Sequence, residues 1–181
     1  MDLRIVDSRT VAGALGLLVR IAAESIEAGF DLDTVERRVL AARRHCKLFA
    51  SFPTLKHLVR GGRIGRLQGM VAGWLDMVPI LSFNAEGGIE AAAKSKSGRR
   101  AREKVVALTR AFCRGRKHLR FTVCHADNEE TAAFYAEALG NHFALDHVDV
   151  LSISPTIGAH VGLGAACISV YGLPEHEELP S

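Results

Sequence analysis

The apolar residues of this 181-residue chain change period as they run along it, and that switching restricts the fold to one mixing helices with strands. Residues 12–28 place Leu15, Leu18, Val19, Ala22 and Ile26 at helical spacing, with Gly29 positioned as a stop. A second helical stripe, Leu32, Val35, Val39 and Leu40, follows a cap at Asp31 or Asp33 and carries Arg37, Arg38, Arg43 and Arg44 on its other side. Residues 46–52 read as a strand ended by Pro53. A short helix through Leu55, Leu58 and Val59 then stops at Gly61-Gly62. A further helix is expected over residues 66–75, with Gly65, Gly69 and Gly73 four apart on one face. Residues 79–83 and 89–94 read as a hairpin around Asn84-Ala85-Glu86-Gly87-Gly88. A basic amphipathic helix over 99–113 turns Ala101, Val105, Leu108 and Phe112 inward. Strands at 119–125, 147–153 and 165–171 and a helix at 129–141 capped by Asn128 follow, whereas the glycine-rich stretch 154–164 reads as a loop. The sum is six strands and about six helices, with a hairpin in the middle and a βαβ-like stretch near the end, an α/β chain.

This length suits a single core, because a domain of about 150 residues buries roughly 70% of its unfolded surface without disulfides or a structural metal. The longest apolar run, Val11 to Val19, stops at Arg20, well short of the ~20 residues of a membrane span. Met1-Asp2-Leu3-Arg4 lacks the pattern of a secretory signal, so the chain reads as cytoplasmic. Cys46, Cys113, Cys124 and Cys167 form no CxxC pair and read as buried free thiols. The net charge of +3 hides an asymmetry. Residues 94–120 hold eleven Lys or Arg against one acid, Glu103; after Arg120 come nine acids and no Lys or Arg. The positive charge is therefore expected on one surface, either a solvated helix face or a binding surface.

Gly61, Gly62 and Gly65 around Arg63 make a place where backbone N–H groups and a guanidinium can meet an anion, or else a corner that needs positive φ. His160, flanked by Gly158, Gly162 and Gly164, is an imidazole set where little side-chain bulk obstructs a ligand, or a solvated loop histidine. The patterns GxxxxGK[ST], GxGxxG, GxSxG and HExxH are all absent, so neither a cofactor, a metal nor a nucleophile is indicated. His125 and Asp127 are expected as a hydrogen-bonded pair capping the next helix. Nucleic-acid binding through the basic stretch competes as a reading, but stacking aromatics are missing from it apart from an inward Phe112.

Taken in order, Val6-Asp7-Ser8 ahead of Gly13 and Gly16, Thr54-Leu55-Lys56-His57-Leu58 leading into Gly61-Gly62-Arg63-Ile64-Gly65, Pro79-Ile80-Leu81, His125-Ala126-Asp127 and the run from Ser154 to Gly162 resemble one family. It is the DegV fatty-acid-binding proteins, which include the carrier subunit of bacterial fatty acid kinase. The resemblance implies a non-catalytic carrier of two α/β lobes, with a long-chain fatty acid in the tunnel between them and its carboxyl group held for a partner kinase to phosphorylate. Burying about 15 methylenes at about 0.8 kcal/mol each gives on the order of 12 kcal/mol before ordering costs, so the tail would supply affinity and the head orientation. Carried over, His160 is the head-group contact, Gly158 and Gly162 permit close approach, and Arg63 lies near the carboxyl end and the partner surface. Residues 69–75 and 79–83 line the tunnel. Two departures are Gly162-Leu163-Gly164 in place of Gly-Pro-Gly and a histidine, His57, where an aromatic is usual. A complete member begins with another lobe that supplies Ser and Thr contacts. Residues 1–181 are thus expected to be the C-terminal lobe alone, built on a roughly six-stranded, mainly antiparallel sheet with helices on both faces. The alternatives are a truncated lobe without tight lipid binding and a nucleic-acid or anion-binding module; Arg99, Arg100 and Arg102 would serve the last, or else dock a partner.

Overall fold

The computed structural model describes residues 2–65, 74 and 76–181. Helix α1 (Ala12–Glu27) ends ahead of Gly29, whose φ of +82° turns the chain into α2 (Leu32–Arg43). Asp31 caps α2, its carboxylate accepting the Thr34 amide at 2.7 Å. Strand β1 (Cys46–Ser51) leads to the short α3 (Lys56–Arg60), and the hairpin β2 (Val78–Phe83) and β3 (Ile89–Ser95) lies beyond it. Then come α4 (Gly98–Cys113), β4 (Arg116–His125), α5 (Glu129–Phe143), β5 (Asp149–Ser152), α6 (Pro155–Val161) and β6 (Ala166–Pro174). The helix expected over 66–75 lies outside the described residues, Trp74 aside.

The six strands form one sheet in the order β3-β2-β1-β6-β4-β5. Every pairing is antiparallel except β4 with β5, which α5 connects as a βαβ unit. The expected six-stranded, mainly antiparallel sheet with helices on both faces is thus the observed one. Because strand side chains alternate, each strand feeds two cores. Phe49, Ile80, Val123 and Ile168 face α4 and α5, together with Tyr135, whose hydroxyl meets Ser51 Oγ at 3.1 Å. Leu48, Ala50, Leu81, Cys124 and Cys167 face the opposite way, toward α1 and α3. A third cluster joins Leu17, Leu18 and Ile21 of α1 to Ala42, Tyr171 and Leu173.

Two local expectations are corrected. The stretch expected as a loop between β5 and β6 contains α6, because Ser154 Oγ accepts the Ile157 amide and Pro155 stands at the first helical position, where its missing N–H costs nothing. His125 does not pair with Asp127. Its Nδ1 accepts the Asn128 amide at 3.2 Å, while Asn128 Oδ1 accepts from Thr131 and caps α5.

Candidate functional site

A cavity of about 340 Å³ lies on the sheet face shared by α1, α3 and α6, within the size range of roughly 300–1,000 Å³ usual for small-molecule sites. Its floor is built by alternation: Leu48, Ala50 and Phe52 point into it from β1 and its continuation, and Leu81 and Phe83 from β2. From Leu48 to Phe52 the strand advances about 13 Å. Following the register of Ala50 with Leu81 sets Phe83 beside Leu48 at one end. There Arg9 donates to the Ala85 carbonyl at 3.1 Å, which brings Val11 into the wall.

The other end is polar. Arg63, Thr156 and His160 line it, with Thr156 and His160 one helical turn apart on α6. No Asp or Glu lines the cavity among the described residues, and Arg63 brings a permanent positive charge to it. The guanidinium is fixed by donating to the Gly61 carbonyl at 2.8 Å.

What holds α3 against α6 is an exchange of histidines over glycines. A Cβ added to Gly61, which ends α3, would stand 2.7 Å from His160 Nδ1; one added to Gly162, which ends α6, would overlap the His57 ring. Each helix therefore ends on a glycine that leaves room for the other helix's imidazole. The ring of His57 thus packs over Gly162 and that of His160 over Gly61. The close approach at Gly162 is made by His57, and a Cβ at Gly158 would meet nothing within 4 Å. Of the expected contact residues, His160 and Arg63 are brought together at the cavity, while Gly158 and Gly162 lie on α6 without lining it. Thr156 was missed, although its spacing of four from His160 was the signal available.

The basic stretch is elsewhere. Arg99, Arg100 and Arg102 lie on α4, which covers the sheet face opposite the cavity. Arg99 pairs with Glu103 at 3.1 Å, and Arg102 with Glu130 at 2.8 Å while stacking over Phe134. Among the described residues no group of three His, Cys, Asp or Glu could hold a metal ion, and no helix is long and apolar enough to cross a membrane.

The profile of a family described as "Uncharacterised protein, DegV family" matches residues 1–173. A DegV domain-containing protein of Clostridium acetobutylicum is 28% identical over 167 residues, covering 92% of this chain and 59% of its own. One from Clostridium perfringens is 29% identical over 165 residues, covering 91% and 58%. The chain thus spans less than two thirds of the length of these curated relatives. Among solved structures, a DegV family protein from Thermus thermophilus, described for its fatty acid binding, superposes with a TM-score of 0.87 at 30% identity over 94% of this chain and 61% of its own. DegV of Bacillus subtilis, described as a fatty acid binding protein, gives 0.79 at 27% identity over 92% and 59%.

Proposed function

The chain belongs to the DegV family, and from that membership we propose that its cavity holds the acyl chain of a long-chain fatty acid with the carboxylate at Arg63, Thr156 and His160. The observation that carries this reading is the division of the cavity. The floor is largely apolar along the strand direction, and among the described residues the lining brings Arg63 to the α3–α6 end without a competing acid. An apolar body with a few convergent polar groups is the form that binds an amphipathic molecule and fixes its orientation. A carboxylate there accepts from the guanidinium and from a His160 N–H, both charge-assisted bonds.

In this reading the protein is a carrier rather than a catalyst. Arg63 is exposed, so a carboxylate beside it is reachable from outside, which suits presentation to a partner kinase for phosphorylation to an acyl phosphate. Residues 1–181 act as one lobe, and a second lobe completes the tunnel above the exposed apolar side chains Leu15, Val19, Val150 and Leu151. Arg99, Arg100 and Arg102, on the far face, take no part in holding the ligand and serve as a docking surface.

Mass spectrometry of lipid extracted from the purified protein tests the reading. A stoichiometric long-chain acid is expected, and its absence together with failure to bind added fatty acid overturns it. His160→Ala is expected to weaken fatty-acid binding about tenfold, the loss of roughly 1.4 kcal/mol that one charge-assisted hydrogen bond accounts for. Unchanged affinity would remove His160 from the head-group site.

A further inference from the structure

The four free thiols fall into two environments. Burial pushes Cys46 up to about 12 and Cys113 up to about 11, the behaviour of inert core cysteines. Cys124 of β4 and Cys167 of β6 are different. They stand directly opposite each other in the antiparallel register, both turn toward the cavity face, and both line the cavity. Two residues along the same ladder the Ala126 amide donates to the Ala165 carbonyl at 2.9 Å. The two-residue repeat therefore makes Cys124 and Cys167 a hydrogen-bonded pair of the ladder, whose Cα atoms lie about 5.5 Å apart. That spacing lies within the range of disulfide Cα separations, and the Cβ atoms, about 5.5 Å apart in such a pair, must close by roughly 1 Å for the bond to form.

The start of α1 lies over this pair. Gly13 is in the first turn, where a helix amide has no intrahelical acceptor, and its N–H donates to the Cys124 sulfur. Only glycine lets the helix come so close: a Cβ there would stand 2.9 Å from both Ser169 Oγ and Thr122 Cβ, the neighbours of the two cysteines on their own strands. A hydrogen bond from Cys167 holds Cys124 below the usual thiol value against the opposing effect of burial, with the Gly13 amide adding to it. The bond to Cys124, together with burial, holds Cys167 well above it. The N-terminal turn of α1, whose Gly13 shares a hollow with Cys124, favours a thiolate there, so Cys124 is set to attack and Cys167 to follow.

We propose that Cys124 and Cys167 form a redox-active dithiol in the floor of the cavity, oxidised to a disulfide by an organic hydroperoxide small enough to enter it. The Cys124 thiolate attacks the terminal peroxide oxygen, the O–O bond breaks, and the alkoxide leaves and takes up a proton, so that Cys124 becomes a sulfenic acid and the peroxide an alcohol. Cys167 then gives up its proton and attacks the Cys124 sulfur; the S–S bond forms and the sulfenic oxygen departs as water. Two thiols and one hydroperoxide give one disulfide, one alcohol and one water, the two electrons passing from sulfur to the peroxide. Both cysteines lie in the cavity wall, so joining them alters the surface that a ligand would contact. The dithiol chemistry does not itself depend on what the cavity carries.

The reduced, delipidated protein is treated with tert-butyl hydroperoxide, its remaining thiols are blocked with a maleimide, and the digest is mapped. The four alkylatable thiols are expected to fall to two, with a single cross-linked peptide joining Cys124 to Cys167. Before oxidation, maleimide is expected to react with Cys124 at least about tenfold faster than with Cys113, following their thiolate fractions. Cys167→Ser should stop the reaction at a sulfenic acid on Cys124 that dimedone captures. Oxidation of Cys46 or Cys113 ahead of the pair, survival of all four thiols, or absence of the cross-linked peptide would overturn the proposal. The measurement on the unaltered chain decides the matter even where the variant fails to fold.

Discussion

A methyl group at Gly61 would stand 2.7 Å from Nδ1 of His160, while one at Gly158, two residues before that histidine, would meet nothing within 4 Å. The two positions therefore separate the placing of the imidazole from the mere content of the glycine-rich stretch. Gly61 has an ordinary helical φ of −76°, so alanine there costs little in the backbone and acts through the clash. Gly61→Ala is expected to push the ring off the cavity rim and weaken fatty-acid binding about tenfold, a cost of roughly 1.4 kcal/mol, in a titration with a fluorescent fatty acid. Gly158→Ala sits inside α6, where alanine is favoured over glycine by up to about 1 kcal/mol; binding should be unchanged and the thermal midpoint equal or higher. If the two substitutions weaken binding alike, the histidine is not held in place by Gly61.

Helix α6 carries Thr156 and His160 of the cavity on seven residues, too few to be stable without support. Its N-cap is Ser154, and Ser154→Ala should cost about 1 kcal/mol of stability and speed amide exchange in α6 before it changes exchange in β6. Equal exchange in both would mean that α6 unfolds only with the sheet. This helix also marks where reading the sequence stopped short. The Asn128 cap, the Asp31 cap and the Asn84–Gly88 turn each announce themselves within four or five residues, and the structure places all three where their spacing said. Gly158 and Gly162 argue locally against a helix, and the Ser154 cap, Pro155 and the packing of His57 and His160 across α3 and α6 together outweigh them. The amphipathic α4 shows a milder form of the same limit. Ala101 and Val105 are buried as its spacing implies, yet the stripe continues through Thr109 and Cys113, with Leu108 and Phe112 only half covered. Of the cavity floor, Leu81 and Phe83 fall within the expected lining at 79–83, and the rest was not legible. Ala50, Cys167 and Cys124 become neighbours through the strand order β1-β6-β4, and no local period encodes pairings between residues this far apart in sequence.

Over the whole molecule, the cavity and the arginines of α4 lie on opposite faces of one sheet. Reversing the charge at Arg99 and Arg100 should therefore leave fatty-acid affinity within about twofold, because exposed charges farther apart than a Debye length of about 8 Å are largely screened. A partner that docks on α4 would lose its binding to the same variant, and a pull on both properties at once would show that the two faces communicate. The C-terminal residues cross from this sheet back to its flank. Glu177 accepts from His45 Nε2 at 3.0 Å, while Arg116 approaches His45 Nδ1 at 3.5 Å, an arrangement that suits the neutral ring. Burial, above all, keeps the folded pKa of His45 below its ordinary 6.5. The stability this histidine contributes is thus complete above about pH 6.5 and is lost as the pH falls through the folded value. Urea midpoints should be level in mild alkali and decline on acidification through that window. The decline should be shallower for His45→Gln, and equal declines would assign the effect to other groups.

The strand order sets a schedule as well as a shape. Strand β6 is the last of the six to be made, yet it lies between β1 and β4. Until residue 174 has left the ribosome the sheet exists as two halves, β1 with its hairpin and β4 with β5, each with an open inner edge and an uncovered apolar face. A chain shortened by its last strand is accordingly not a smaller version of this protein but a pair of unjoined pieces. Cys167 completes the cavity floor between Ala50 and Cys124, so a pocket of this form comes into being only once β6 has joined β1 to β4.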